Sequence, residues 1–158
     1  MEQTETVRNR SNMTIYDLLK QDHKDVKKLF KEIVDNNRYQ DNIYMQVKKA
    51  LEVHMAGEEK VFYSRLENNM DTRELVLESF EEHDLGKKVI KDIDSSAAED
   101  AKLAKVKVLS AAFDQHIRQE EGDLFKKAKK VLSSDDEHEI GRLFENEKMA
   151  KMQGRNVT

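Results

Sequence analysis

Apolar residues recur at three-and-four spacing along most of this chain, with polar and charged residues filling the positions between. Ile15, Leu18, Leu19, Val26, Leu29, Phe30 and Ile33 form a first stripe, which predicts a core-facing helix. Thr14 followed by Asp17 supplies its start, a side-chain oxygen free to cap and an acid in the first turn; Asp35-Asn-Asn-Arg38 ends it. A second stripe, Ile43, Val47, Leu51, Met55, Phe62 and Leu66, predicts a helix from about Gln40 to Glu67, closed by a turn at Asn68-Asn-Met-Asp71. Asp71 with Glu74 marks the start of a third helix carrying Leu75, Val76, Phe80, Val89, Ile90 and Ile93. Ser96 with Glu99 opens a fourth, through Leu103, Val106, Leu109, Phe113, Ile117, Leu124, Phe125 and Val131.

Short polar loops between long helices favour antiparallel neighbours, so the expected fold is all-α, an up-down-up-down four-helix bundle. A short extra C-terminal helix follows from Ser133-Ser134-Asp-Asp-Glu137. Its weak apolar face is Ile140, Leu143, Phe144 and Met149, and its expected place is the outside of the bundle. The domain reading is a flexible polar leader over 1–12, the bundle over 13–132, and the C-terminal helix and tail over 133–158.

Composition agrees with helix and removes several function classes. The 158 residues include no proline and five glycines, and 38% are charged. The net charge of −4, with both signs interleaved, argues against a nucleic-acid footprint and against a polybasic membrane patch. With no cysteine, thiolate zinc sites, iron–sulfur ligation and disulfides are excluded. No apolar run is long enough to span a bilayer and the N-terminus lacks the order of a signal peptide, so a cytoplasmic location is the default expectation.

The candidate chemistry lies on the stripes themselves. His54 and Glu58 stand four residues apart, on one helix face, and the pattern returns sixty-two residues later as His116 and Glu120. His23 and His83 are matched in the same way: Asp22-His23-Lys24 and Glu82-His83-Asp84 open similar segments sixty residues apart. A lone histidine or a lone His-x-x-x-Glu is weak, but the repeat puts one histidine on each of four helices. Unanswered polar groups in a core cost roughly 1–3 kcal/mol each, more if charged, and a cation would offset that cost. Nitrogen and oxygen donors suit borderline divalent metals, and two carboxylates with four imidazoles suit two ions better than one. Glu59 and Glu121 repeat as well and are expected on the flank. His138 lies outside the pattern and is expected to be solvated. Tyr16 is expected to pack in the core, and Leu51, Phe80 and Phe113 to wall a dry pocket.

In the order His23, His54-x-x-x-Glu58, His83, His116-x-x-x-Glu120, the sequence resembles the hemerythrin-like, or HHE cation-binding, family over roughly residues 13–132. That resemblance implies a four-helix bundle with a non-haem diiron centre of two iron ions, oxo or hydroxo bridged. Glu58 and Glu120 would be bridging ligands, and His23, His54, His83 and His116 terminal ones. It further implies an O2 or NO ligand, for sensing, scavenging or iron handling. The oxygen carriers of the family have a further histidine one turn before the position of His83, where this chain has Ser79, and an aspartate five residues beyond the last histidine, where this chain has Glu120 at four. The expectation is an open coordination position and poor oxygen transport. The alternatives are a ferroxidase or peroxide-reactive enzyme, and a metal-stabilised structural or interaction bundle.

Overall fold

The structure, a computed structural model of the chain, describes residues 12–154. The leader expected over 1–12 therefore lies, apart from Asn12, outside the described residues. Helix α1 spans Ile15–Val34 and opens on a capping box: the Asp17 backbone N–H donates to Thr14 Oγ1 at 3.3 Å, and the Asp17 carboxylate accepts from the Thr14 backbone at 3.2 Å. Helix α2 runs Asp41–Gly57, passes through a π-helical turn at Glu58–Tyr63, and ends at Ser64–Leu66. Helix α3 spans Arg73–Ser95. Helix α4 runs Glu99–Gln119, widens into a second π turn at Glu120–Leu124, and resumes over Phe125–Val131. Helix α5 spans Ser134–Met152 behind a second capping box, Ser133 with Asp136.

The fold is the all-α bundle that the stripes predict, and the described residues contain no strand. Two of the expected helix starts differ. Thr72, rather than Asp71, precedes α3, and its hydroxyl donates to the Leu66 carbonyl instead of capping. Ser96 caps the end of α3 and bonds back to the Asp92 carbonyl, while α4 begins behind Ala98 with no side-chain cap. In both places the serine or threonine hydroxyl satisfies a carbonyl of the helix before it, which sequence pattern cannot distinguish from a cap of the helix after it.

The core is divided into two apolar clusters. One gathers Val26, Phe30, Ile33, Val47, Leu51, Ile90, Leu109 and Phe113; the other gathers Ile15, Leu19, Phe62, Leu66, Val76, Leu124 and Phe125. Between them, in sequence position and along each helix, come the buried polar residues His23, His54, Glu58, His83, His116 and Glu120. The bundle thus carries a polar layer across its middle.

Helix α5 departs from expectation. It has nineteen residues and buries Ile140, Gly141, Phe144, Glu147 and Ala150, whereas Leu143 and Met149 of the expected apolar face are exposed. It lies against α1 and α2. Gly57 makes that approach close: a Cβ there would sit 2.7 Å from Phe144 Cε2.

Candidate metal centre

The six repeated residues converge. Nitrogen and oxygen atoms of His23, His54, Glu58 and Glu120 lie within 4.8 Å of one another, and so do those of Glu58, His83 and His116. Glu58 belongs to both groups and is fully buried. His54 Nε2 stands 3.0 Å from Glu58 Oε1, and His83 Nε2 stands 3.2 Å from the same oxygen. His23 Nε2 approaches Glu120 Oε1 at 3.3 Å, and His116 Nε2 approaches Glu120 Oε2 at 3.3 Å.

Several of these atoms are close without being satisfied. His23 Nε2, His54 Nε2, both Glu58 oxygens and Glu120 Oε1 are buried and have no aligned hydrogen bond. A buried carboxylate left in that state costs several kcal/mol. Inward-facing lone pairs of imidazole and carboxylate are the donor set a divalent cation requires. The residues therefore fit a metal.

Each imidazole is oriented from behind by a carboxylate of a neighbouring helix. His23 Nδ1 meets Glu121 at 2.7 Å, His54 meets Asp22 at 3.0 Å, His83 meets Glu59 at 2.8 Å, and His116 meets Glu82 at 3.1 Å. An ionised carboxylate only accepts, so every Nδ1 carries a proton and every Nε2 faces inward. The four pairs obey the internal repeat: His23 with Glu121 corresponds to His83 with Glu59, and His54 with Asp22 to His116 with Glu82. Glu59 and Glu121, expected on the flank, do stand there, and the flank faces the histidine of the next helix. Lys87 holds Glu59 in turn, at 3.3 Å, and Lys148 of α5 bonds Asp22.

The π turns begin at the two candidate carboxylates. The Glu58 N–H is shared between the His54 and Met55 carbonyls, and the Glu120 N–H between those of His116 and Ile117. Such single π turns are frequent at functional sites. One consequence is the placement of Tyr63, which the spacing of apolar residues does not announce. Its hydroxyl bonds Glu120 Oε2 and lies 3.4 Å from His83 Nε2 and 3.5 Å from His116 Nε2. Ser79 is buried nearby, but its hydroxyl donates to the Leu75 carbonyl at 2.9 Å.

The protonation of the cluster follows from burial set against charge. Burial pulls the His54 imidazole down, but Glu58 and Asp22 outweigh it and push it up to about 10. His83 and His116 are raised in the same way, against burial, by Glu58 with Glu59 and by Glu120 with Glu58. Burial pushes the Glu58 carboxyl up, and the His54 and His116 imidazoles carry it well below the usual carboxylate range.

The remaining candidates lie apart. Tyr16 packs its ring on Phe62 and Phe125. His138 is on α5 and donates from Nδ1 to the Ser134 carbonyl at 2.8 Å. Phe113 sets its ring edge-on to His23 and His54, and Phe80 packs on Tyr63. An apolar pocket of about 180 Å³ opens between α3 and α4, bounded by Leu51, Leu109 and Phe113, and reaches His83 and His116.

The model of the hemerythrin HHE cation binding domain matches residues 14–128. The chain belongs to that family. It is also similar to a protein of Nostoc sp. (strain PCC 7120 / SAG 25.82 / UTEX 2576) named DNA nickase, at 34% identity over 132 residues, covering 80% of this chain and 37% of the relative. The chain thus spans well under half the length of that relative. No solved structure matches it. As an HHE domain with a buried histidine–glutamate layer, the chain has the features of a metal-binding bundle, and helix α5 lies beyond the residues that the family model matches.

Proposed function

We propose that this chain is a non-haem diiron protein that binds O2 or NO, for sensing, scavenging or iron handling. The observation that carries the reading is the pair of donor groups sharing Glu58, with five of their buried atoms unanswered. Two groups joined by one carboxylate favour two ions over one. In this reading His23, His54, Glu58 and Glu120 hold one metal and Glu58, His83 and His116 the other. Family membership favours iron, which when bound supplies reversible one-electron chemistry and an affinity for diatomic gases. The protein's own residues supply the rest. Glu121, Asp22, Glu59 and Glu82 fix the imidazoles, and the flanking apolar clusters keep bulk water from the layer. The apolar pocket at His83 and His116 suits entry of a small neutral molecule better than of a charged one.

A cytoplasmic setting, with neither nucleic acid nor membrane as partner, belongs to the same proposal. It is supported by the interleaved charge, and among the described residues no helix is long and apolar enough to cross a membrane. The nicking activity in the relative's name is not carried over, because most of that protein lies outside the shared part.

Anaerobic loading with ferrous iron tests the reading. The expected result is two irons per chain, with new near-ultraviolet absorption on exposure to air or a changed spectrum on exposure to NO. Failure to take up stoichiometric iron overturns it. Repeated turnover of ferrous iron or peroxide would replace it with the enzyme reading; a bound metal indifferent to both gases would leave a structural bundle.

A further inference from the structure

The candidate ligands of the two halves of the polar layer match one for one, but the residues that follow the two glutamates do not. Five residues after Glu58 stands Tyr63; five residues after Glu120 stands Phe125. Phe125 is used in packing, its ring 5.0 Å from that of Tyr16 and 6.0 Å from that of Phe62. Tyr63 instead turns its hydroxyl into the layer, where it bonds Glu120 and lies within 3.5 Å of the inward nitrogens of both His83 and His116. The side chain is fully buried. The donor groups are unequal as well: the one built on His23 and His54 has four residues, and the one built on His83 and His116 has three. Tyr63 stands beside the smaller group.

We propose that Tyr63 is a protein ligand to the metal held by Glu58, His83 and His116, binding through its phenolic oxygen and making the two metal positions chemically different. This rests on the diiron reading above. The phenol reaches the layer because the π turn over Glu58–Tyr63 brings the fifth residue after Glu58 back to the same face. Phenolate oxygen is a hard anionic donor, suited to ferric iron in a set of imidazole and carboxylate. On binding, the phenolic proton leaves to solvent along with the protons that the metal displaces from the imidazoles. The donors of the smaller group then number four, equal to the larger. The charge does not match, since one half gains an anion that Phe125 cannot supply to the other. The position facing Ser79 is filled from α2 and is not left open.

The test is optical. Wild-type protein is loaded with ferrous iron under anaerobic conditions and oxidised, and its visible absorption and resonance Raman spectra are recorded. The expected result is a phenolate-to-ferric charge-transfer band, with enhanced tyrosine ring vibrations on excitation into it. Tyr63→Phe, with its iron content measured alongside, loses both signals. Two irons per chain without tyrosine vibrations in the wild type overturns this assignment and leaves the diiron reading intact. Signals that persist in Tyr63→Phe overturn it equally. Absence of stoichiometric iron overturns both. Should Tyr63→Phe fail to fold, the wild-type Raman spectrum decides the matter by itself.

Discussion

The Glu59 carboxylate accepts the Nδ1–H of His83 at 2.8 Å, across the interface between α2 and α3. The residue beside one candidate ligand thus orients the imidazole of another. Loss of such a carboxylate lets the ring turn and lowers the basicity of its inward nitrogen. Glu59→Gln should weaken metal affinity about 10–100-fold while leaving the helical content unchanged. Glu121→Gln should do the same through His23. Competition with a chelator of known affinity measures both, and affinities within a factor of two of wild type would show that these carboxylates do not tune the centre.

Glu58 is the one residue common to both donor groups. Its removal should therefore disturb two metals, and removal of His83 only one. The expected stoichiometry falls from two ions per chain to at most one in His83→Ala, because His23, His54, Glu58 and Glu120 remain together. In Glu58→Ala neither position should be filled at the same free metal concentration. Metal analysis after gel filtration checks this; equal losses in the two variants would contradict a shared carboxylate.

Much of this was open to inspection in the sequence. The ligand candidates sit on apolar stripes of period 3.6, so their inward direction follows from helix geometry. Tyr63 was not legible for the same reason. Five residues along an α-helix from Glu58 is about 140° round the axis, which places Tyr63 off the stripe unless a π turn intervenes. No pattern of residue types announced that turn. Asp22, Glu59, Glu82 and Glu121 were visible as repeats, yet each lies one position off the stripe. Their roles depend on which histidine the neighbouring helix presents across the groove. Helix α5 was underestimated because its docking is partly polar: Glu147 is buried with Lys60 at 3.0 Å, and Lys148 reaches Asp22. Hydrophobic periodicity is blind to such contacts.

The protonated imidazoles give the metal-free protein an unusual pH dependence. His54 keeps its proton to about 10 in the folded chain, against 6.5 in the unfolded one. Between those values the folded state binds more protons, so raising the pH favours unfolding. The contribution is complete below 6.5 and is lost through about 10. On the acid side Glu58, Glu59 and Asp22, all lowered, withdraw their contributions as pH falls from the ordinary carboxylate range through their depressed values. Metal replaces the imidazole protons, so affinity for it should rise over the same alkaline interval. Thermal unfolding should show the midpoint of the metal-free protein falling from neutral to alkaline pH and that of the loaded protein holding or rising. Parallel slopes would mean that the imidazoles are not protonated when the metal is absent.

Gly57 separates two effects of opposite sign. Replacing a glycine inside a helix with alanine ordinarily stabilises by roughly 0.8–1 kcal/mol. Here the added Cβ would meet the Phe144 ring at 2.7 Å, and that ring is fixed on α5 with no exposed surface into which to swing. Overpacking of this kind costs about 1–3 kcal/mol, so the clash should win. Gly57→Ala is therefore expected to lower the thermal midpoint of the metal-free protein by several degrees. Because Phe144 also stands edge-on to His54, with ring centroids 6.2 Å apart, metal affinity should fall with it. Phe144→Leu in the Gly57→Ala background removes the ring edge and should recover part of both losses. A stabilised single variant would mean that α5 does not lie on α2 as closely as Phe144 and Gly57 require.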